Sequence, residues 1–198
     1  EVASVLDDYT SRGFRTIAFG HADGNFETLD KLPKSKIVFD GLVALADPLR
    51  ANIPQAIAEA RAAGINVVML TGDHKNTAEE IARQAGLIDN HNQVADSSIL
   101  NKPPNAKLMK TMLSRVHVFG RVLPEHKFNF LKSVKHSEVT AMTGDGVNDI
   151  PGLVEADAGL AMGSGTDAAK DASDIVLLDD NFGTIIDAVR IGRAVIAN

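Results

Sequence analysis

The sequence contains no cysteine, and it has no run of apolar residues that approaches the ~18 residues of a membrane span. The lack of cysteine excludes disulfides and thiolate metal sites and is typical of proteins in a reducing compartment. No signal peptide is visible. Basic clusters are also missing and the net charge is −6, so nucleic acid is not expected as a partner.

A sizeable hydrophobic core can form, because 44% of the 198 residues are hydrophobic. The length suits one large domain, or one domain with an appendage. The chain begins at Glu1 rather than methionine, and its last predicted helix shows no stop signal. We therefore expect it to be a piece of a longer protein.

Alternating strand and helix patterns dominate the chain. The apolar run at 65–70 predicts a parallel strand buried on both faces. A helix capped by Asn52 and ended by Gly64 precedes this run, and a helix with a capping box of Asn76 and Glu79 follows it. This order predicts an α/β fold with a doubly wound, mostly parallel, Rossmann-like sheet. Further strands are predicted at 14–19, 37–45, 116–119, 139–142, 158–162 and 175–178, with polar, irregular stretches at 20–36 and 88–103.

The most informative stretch is Thr-Gly-Asp-Gly-Val-Asn-Asp at 143–149, between a predicted strand end and a predicted helix start. Ligands bind at this edge of open α/β sheets. Asp145 and Asp149 place two carboxylates around one turn, with the amide of Asn148 between them. Such groups hold Mg²⁺ together with water and phosphate oxygens. An acidic turn with glycines is the bland alternative, but the whole string favours a metal and phosphate site.

Two other strand ends carry groups that suit phosphate. Thr71 offers a hydroxyl and Gly72 an unhindered N–H, while Lys127 offers a positive charge at a helix start. Taken singly, the threonine is more often a strand-end cap and the lysine a solvated residue. Together they could support phosphoryl transfer by positioning and charge neutralisation, although no nucleophile is evident.

These motifs, in this order, resemble the phosphorylation domain of P-type cation-transporting ATPases in the haloacid dehalogenase superfamily. The resemblance is strong over residues 37–198 and looser over 1–36, which resemble the end of a nucleotide-binding domain plus a linker. It implies a phosphorylation domain that lacks its first strand. The matching residues are Asp47 to Arg50, Met69 to Asp73, Arg121 with Pro124 and Lys127, Ala141 to Asp149, Ala161 to Asp167, and Asp179 to Phe182.

By this resemblance, each motif has a role. Thr71 and Lys127 would bind the phosphoryl group, with Gly72, Asp73, Asn148 and Asp149 as the remaining catalytic residues. Asp145, together with Asp149, would coordinate Mg²⁺. Contacts to ATP would come from Arg15, Arg50 and Arg121.

The resemblance also implies a cytoplasmic domain of an integral membrane protein, an ATP-driven pump that forms an aspartyl phosphate. The plasma membrane is its expected location. Its partners would be nucleotide, actuator and transmembrane domains and the transported cation. The string at 179–182 is more similar to the calcium and sodium–potassium pump branch than to heavy-metal or proton pumps. The family's Asp-Lys-Thr-Gly-Thr string, which carries the phosphorylated aspartate, is missing, so the isolated chain is expected to be inactive.

Other functions remain open. One is a non-catalytic module that binds phosphate and Mg²⁺, although the intact motif residues speak against decay. Another is a haloacid dehalogenase-type phosphatase, which needs an amino-terminal Asp-x-Asp that is missing. A dinucleotide-binding module would need a Gly-x-Gly-x-x-Gly string. The six histidines are scattered without ligand spacing, so zinc chemistry is not expected.

Overall fold

The computed structural model describes residues 2–24, 28, 33, 36–45, 48–102 and 105–197. It divides into two units, Glu1–Pro48 and Leu49–Asn198. In the first unit, helix α1 (Val2–Ser11) precedes strand β1 (Arg15–His21), which pairs antiparallel with β2 (Val38–Leu45).

The division between the units differs from the boundary at residue 36 that the motifs suggested. Strand β2 pairs with β1, and the first unit ends only at Pro48. Sequence spacing could not reveal this pairing, because the two strands are separated by a long connection. The identity of residues 1–36 as the end of a nucleotide-binding domain stays a prediction. Asp40 lies exposed on β2 beside His21 (Oδ1 to Nδ1, 2.7 Å).

The second unit alternates strands and helices, and all of its strand pairs are parallel. One sheet has the order β3-β5-β4 and the other the order β6-β7-β8, which confirms the predicted α/β class with parallel strands. The elements are β3 (Met69–Leu70), β4 (Val94–Asp96), β5 (Val118–Gly120), β6 (Ala141–Gly144), β7 (Ala158–Met162) and β8 (Ile175–Leu177), with helices α2 (Ile53–Ala62), α3 (Lys75–Gln84), α4 (Ala106–Leu113), α5 (Pro124–Val134), α6 (Ile150–Glu155), α7 (Asp167–Asp171) and α8 (Phe182–Ala197).

The largest hydrophobic cluster draws side chains from both three-stranded sheets. Phe119 of β5 and Phe130 of α5 meet edge to face, with ring centroids 5.6 Å apart. Met142 of β6 and Leu153 of α6 belong to the same cluster. Helices α5 and α6 therefore hold the ends of the two sheets in one core, which fixes the position of the loops at the strand ends.

Two predicted strands were wrong in extent. Within the apolar run at 65–70, only Met69–Leu70 forms a strand, and it is half-buried rather than buried on both faces. Among the described residues, β3 has a hydrogen-bonded neighbour on one side only, β5, so the rest of the run has no ladder to join. The strand predicted at 139–142 begins at Ala141 and ends at Gly144, and Val139 is 93% exposed.

The predicted helix starts were also partly wrong. Asn52 makes no capping hydrogen bond; instead its amide donates to Oδ1 of Asn181 (2.6 Å). Asn76 lies inside α3, whose N-cap is His74, so the capping box is not formed. A side chain that reaches a distant partner leaves its own helix uncapped, and spacing alone cannot foresee that choice. Gly64, with a φ of 75°, does end α2 as predicted.

Helix α8 begins at the core and ends at the surface. The N–H of Gly183 donates to Oδ1 of Asn181 (2.9 Å), so Asn181 caps the helix. Ile185 and Ile186 are buried, whereas Val195 is 69% exposed. No helix in the described part of the chain has the length and apolar character needed to cross a membrane.

We predict that the substitution Asp157→Ala destabilises the chain more at neutral pH than at low pH. The carboxylate of Asp157 accepts hydrogen bonds from the N–H (2.8 Å) and hydroxyl (2.9 Å) of Thr140, and these lower the pKa of Asp157. Because folding lowers the pKa of Asp157, its carboxylate stabilises the folded state at pH values above the ordinary pKa of 3.8. This stability is lost as the pH falls through the lowered pKa.

Urea unfolding of this chain and the variant at pH 7, 5 and 3 measures the effect. The difference in unfolding free energy should shrink between pH 5 and pH 3. Asp187→Ala, at an exposed ion pair with Arg190, is the control and should change stability little at any pH. A constant deficit for Asp157→Ala across the whole range would contradict the prediction.

Candidate functional site

The centre of the candidate site is an ion pair between Lys127 and Asp149. Pro124 starts α5 and so places Lys127 in its first turn, while Asp149 directly precedes α6. The Lys127 ammonium donates to Oδ1 of Asp149, and the two side chains are only 17% and 9% exposed. The other carboxylate oxygen accepts the N–H of Asp145 (3.1 Å) and of Gly146 (3.3 Å). The motif at 143–149 is thus folded around its own last carboxylate.

These donors keep Asp149 ionised. Burial raises the pKa of its carboxyl, but the hydrogen bond and charge of Lys127 and the two N–H groups outweigh burial and lower it overall. A buried charge of this kind is stable only when it is paired and hydrogen-bonded. Asp149 therefore fixes the lysine ammonium in one position.

Gly144 is required at this turn by close packing. A Cβ on Gly144 would collide with the side chain of Asp149, lying 2.8 Å from its Cγ and 3.0 Å from its Oδ2. The reason is contact rather than backbone conformation, since Gly144 is not among the residues with positive φ. The missing side chain of Gly144 therefore leaves room for the side chain of Asp149.

Asp145 has the opposite environment, with an exposed side chain on a fixed backbone. Its carbonyl accepts the N–H of Thr166 (2.8 Å), and a Cβ on Gly165 would lie 2.8 Å from the same oxygen. Asn148, in the short 3-10 helix Val147–Asp149, is also exposed. The Asp145 carboxylate is consequently available to a ligand in solution, while the turn that carries it cannot move freely.

This donor set fits a magnesium site better than a cage made of protein alone. Within the described ranges, no three histidine, cysteine, aspartate or glutamate side chains are grouped so as to hold a metal ion. Mg²⁺ keeps several waters and takes one or two carboxylates together with substrate phosphates. Asp145 can supply such a carboxylate. For Asp149, a role as metal ligand stays a prediction, because Lys127 already occupies one of its oxygens.

The turn after β3 is joined to the segment that leads into α5. The hydroxyl of Thr71 donates to Oδ2 of Asp73 (3.1 Å) and accepts the Asp73 N–H (3.1 Å). The N–H groups of Arg121 and Val122 donate to the carbonyls of Asp73 and Thr71, both at 2.8 Å. At Gly72 the nearest atom to an added Cβ is 3.7 Å away. Hydrogen bonds thus connect this turn to the segment that leads into α5, the helix that carries Lys127.

The three arginines predicted to contact ATP lie in different places. Arg121 follows β5 with a positive φ of 56°. Arg50 donates to the carbonyl of Asp180, at the turn between β8 and α8. Arg15 begins β1 in the first unit, so its role stays a prediction, and Asp47 of the matched motif lies outside the described residues.

The sequence assigned no supporting role to two groups, Thr166 and Ser97, that hold the site in place. Thr166 anchors Asp145 and also caps α7, where its hydroxyl accepts the N–H of Ala169 (3.3 Å); a threonine before an Asp-Ala-Ala stretch is a recognisable cap. Ser97 donates to the carbonyl of Arg121 (2.6 Å). It lies in a stretch that looked irregular, and no pattern in the sequence could have indicated it.

Taken together, the loops and helix starts that follow the strands of the second unit carry a paired ammonium, an exposed carboxylate, a hydroxyl and the backbone N–H of the exposed Gly72. Ammonium and N–H groups bind phosphate oxygens, and a carboxylate holds a hard cation beside them. Open sheets of parallel strands bind ligands at the carboxyl ends of the strands. The arrangement has the chemistry of a phosphate and metal-ion site on an α/β scaffold, and its use as such a site stays a prediction.

Comparison with known families agrees with this class. The sequence model of haloacid dehalogenase-like hydrolases matches residues 8–157, and a second model with the same description matches residues 128–189. Since the first match covers more than half of the chain, the chain belongs to the haloacid dehalogenase-like hydrolase family.

Similar curated proteins are calcium-transporting ATPases. The chain is 43% identical over 195 residues to one from Listeria monocytogenes, a match that covers 97% of this chain and 22% of that protein. It is 46% identical over 170 residues to calcium-transporting ATPase 4, endoplasmic reticulum-type, of Arabidopsis thaliana, covering 83% of this chain and 16% of that protein. The chain thus spans about a fifth of the length of these relatives, and the resemblance to the P-type pumps is confirmed.

Solved structures give the same fold. A crystal structure of a zinc-transporting PIB-type ATPase has a TM-score of 0.67 at 26% identity, over 98% of this chain and 25% of that one. The named cargo of this structure differs from that of the sequence relatives. Its lower identity makes it a guide to the fold rather than to the ion.

Proposed function

We propose that this chain is the phosphorylation-domain part of an ATP-driven calcium pump that works through an aspartyl phosphate. Support comes from the 43% identity to a calcium-transporting ATPase along 97% of the chain. The observation that carries the proposal is the junction at Asp149, which joins Lys127 to the backbone of Asp145. One residue thereby ties the phosphate-binding charge to the metal-binding turn.

In this function, positioning and charge neutralisation are the work of the chain, because phosphoryl transfer needs little covalent chemistry from the protein. Lys127, held by Asp149, would face the transferring phosphoryl group. The Thr71 hydroxyl, which donates to the Asp73 carboxylate, would donate to a phosphate oxygen instead, and the N–H of the exposed Gly72 would donate beside it. Asn148 would orient the same group from its exposed position.

Asp145 would hold Mg²⁺, which when bound supplies positive charge to phosphate oxygens. Arg121, Arg50 and Arg15 would contact ATP. The nucleophilic aspartate would come from outside this chain, as would the nucleotide, actuator and transmembrane domains that a pump requires. The site would then lie on the cytoplasmic side of a membrane, with the plasma membrane as the proposed location.

We predict that the full-length protein forms a phosphoenzyme from ATP, and that this chain alone does not. The chain lacks the Asp-Lys-Thr-Gly-Thr string, so it has the site without the nucleophile. Both proteins are incubated with radiolabelled ATP and Mg²⁺ and separated on acid gels. The full-length protein should carry an acid-stable, hydroxylamine-sensitive label that calcium increases, and the isolated chain should carry none.

Each arm of this experiment can contradict the proposal. A hydroxylamine-sensitive label on the isolated chain would show that the nucleophile lies within it. A full-length protein that hydrolyses ATP without an acid-stable label would exclude the aspartyl phosphate. A label that responds to another cation but not to calcium would support an aspartyl-phosphate pump but contradict calcium as the transported ion.

A further inference from the structure

Outside the recognised motifs, a short segment contacts Arg121 and two residues that flank Lys127 on α5, His126 and Asn129. It consists of the 3-10 helix Ser97–Leu100 and the following Asn101, and we name it the 97–101 segment. Oδ1 of Asp96 caps it by accepting the N–H of Ser98 (3.0 Å). Leu100 is fully buried in the main core, so the segment is anchored at its start and at its end.

At one end, the segment holds the backbone of Arg121. The hydroxyl of Ser97, which is 3% exposed, donates to the Arg121 carbonyl (2.6 Å). Arg121 has a left-handed backbone, with φ of 56°, which a residue with a Cβ keeps only when its surroundings impose it. Two hydrogen bonds hold Arg121 in this conformation. The Ser97 hydroxyl donates to the Arg121 carbonyl, and the Arg121 N–H donates to the Asp73 carbonyl (2.8 Å).

At the other end, the segment holds the first turns of α5. Nδ1 of the buried His126 accepts the N–H of Leu123 (3.1 Å). A neutral ring therefore carries its proton on Nε2, which lies 2.8 Å from Oδ1 of Asn101 and donates to it. Two turns are fixed in this way, because the amide of Asn129 also donates to the carbonyl of Leu100 (3.0 Å). Lys127 lies between these two contacts.

We infer that the 97–101 segment is a positioning element that holds Arg121 and Lys127 in the geometry needed for phosphoryl transfer, a role that rests on the function proposed above. Without the Ser97 hydroxyl, Arg121 is free to relax to a right-handed backbone and redirect its side chain. Without the Asn101 acceptor, the His126 ring loses its partner and the start of α5 loosens around Lys127. Neither Ser97 nor Asn101 touches the reacting groups in this role.

The test uses the full-length protein with the substitutions Ser97→Ala and Asn101→Ala. Small displacements of positioning groups can cost up to about 100-fold in rate, and we expect phosphoenzyme formation at saturating ATP to slow roughly 10-fold for each variant. Melting temperatures should stay near that of the parent. Asn101→Asp, which keeps the acceptor oxygen, and Ser97→Thr, which keeps the hydroxyl, should recover most of the rate.

Ser133→Ala is the matched control. Ser133 is also 3% exposed, and its hydroxyl also donates to a backbone carbonyl, that of Asn129 (2.8 Å), but it holds no site residue. Its rate should equal that of the parent. Equal slowing by Ser133→Ala and Ser97→Ala would overturn the inference, since any lost buried hydroxyl would then suffice.

Further outcomes separate this inference from the function on which it rests. If Lys127→Ala slows phosphorylation while Ser97→Ala and Asn101→Ala do not, the inference fails and the function stands. If Lys127→Ala itself has no effect, the proposed function fails. Early melting with an unchanged rate per folded molecule would make the segment merely structural and overturn the inference. If the Ser97→Ala variant does not fold, the Asn101→Ala and Asn101→Asp variants provide the test, because Asn101 is exposed.

Discussion

Replacing Lys127 by alanine in the full-length protein should slow phosphoenzyme formation on the order of 100-fold, because the transferring group loses its fixed positive charge. Additional Mg²⁺ should not restore the rate. Asp145→Asn should fail differently, since it weakens a carboxylate ligand of a hard cation. Its rate should recover as the Mg²⁺ concentration rises.

The ion pair adds a second consequence of Lys127→Ala. The substitution leaves the buried Asp149 without its cation, and breaking a buried pair in this way typically costs about 3–5 kcal/mol of stability. The double variant Lys127→Ala with Asp149→Asn removes the orphaned charge and should regain part of that stability. It should remain inactive, which separates a loss of chemistry from a loss of folding.

Melting curves and Mg²⁺ titrations of phosphoenzyme formation, run on the same preparations, measure both effects. The proposed roles would be wrong if Lys127→Ala and Asp145→Asn both folded normally with unchanged rates and unchanged Mg²⁺ dependence. They would also be wrong if the double variant recovered activity together with stability.

Gly144→Ala should disrupt the site by a steric route. The new methyl group would overlap the Asp149 side chain, which cannot move without breaking its contacts to Lys127 and to the N–H groups of Asp145 and Gly146. Overpacking of this kind typically costs about 1–3 kcal/mol. In the full-length protein, phosphorylation should fall with it, because the Lys127 ammonium loses its anchor.

Gly146→Ala is the control for stability. Nothing lies within 4 Å of an added Cβ there, and the φ of Gly146 is −125°, a value that alanine adopts easily. Urea unfolding of the two variants of this chain should show a deficit for Gly144→Ala and a change within about 0.5 kcal/mol for Gly146→Ala. Equal effects at both glycines would mean that the turn is sensitive to any substitution, not to this contact.

The sequence predicted some element boundaries well and others poorly, for one physical reason. Strand β7 and the end of α2 at Gly64 follow from local signals, an apolar run and a glycine with positive φ. The extent of β3 depends on which neighbours offer hydrogen bonds, and that is a property of the assembled sheet. The cap expected at Asn52 failed for the same reason, since Asn181 lies more than a hundred residues further along the chain.

By itself, the sequence determined the class of the protein and the chemistry available to it. The α/β alternation, the aspartates at 145 and 149, the Thr71 turn and Lys127 are all local patterns, because a strand end followed by polar groups can be recognised from neighbouring residues. Membership of the haloacid dehalogenase-like family, which the comparisons confirm, rests on the same local motifs.

Only the tertiary structure decided how those groups are used. It paired Lys127 with Asp149, left Asp145 exposed, and filled the space beside Gly144 with a carboxylate rather than a ligand. It also brought Ser97 to Arg121 across 24 positions of the chain. Pairings of this kind depend on distances between segments that are remote in sequence, and those distances exist only after the core has packed.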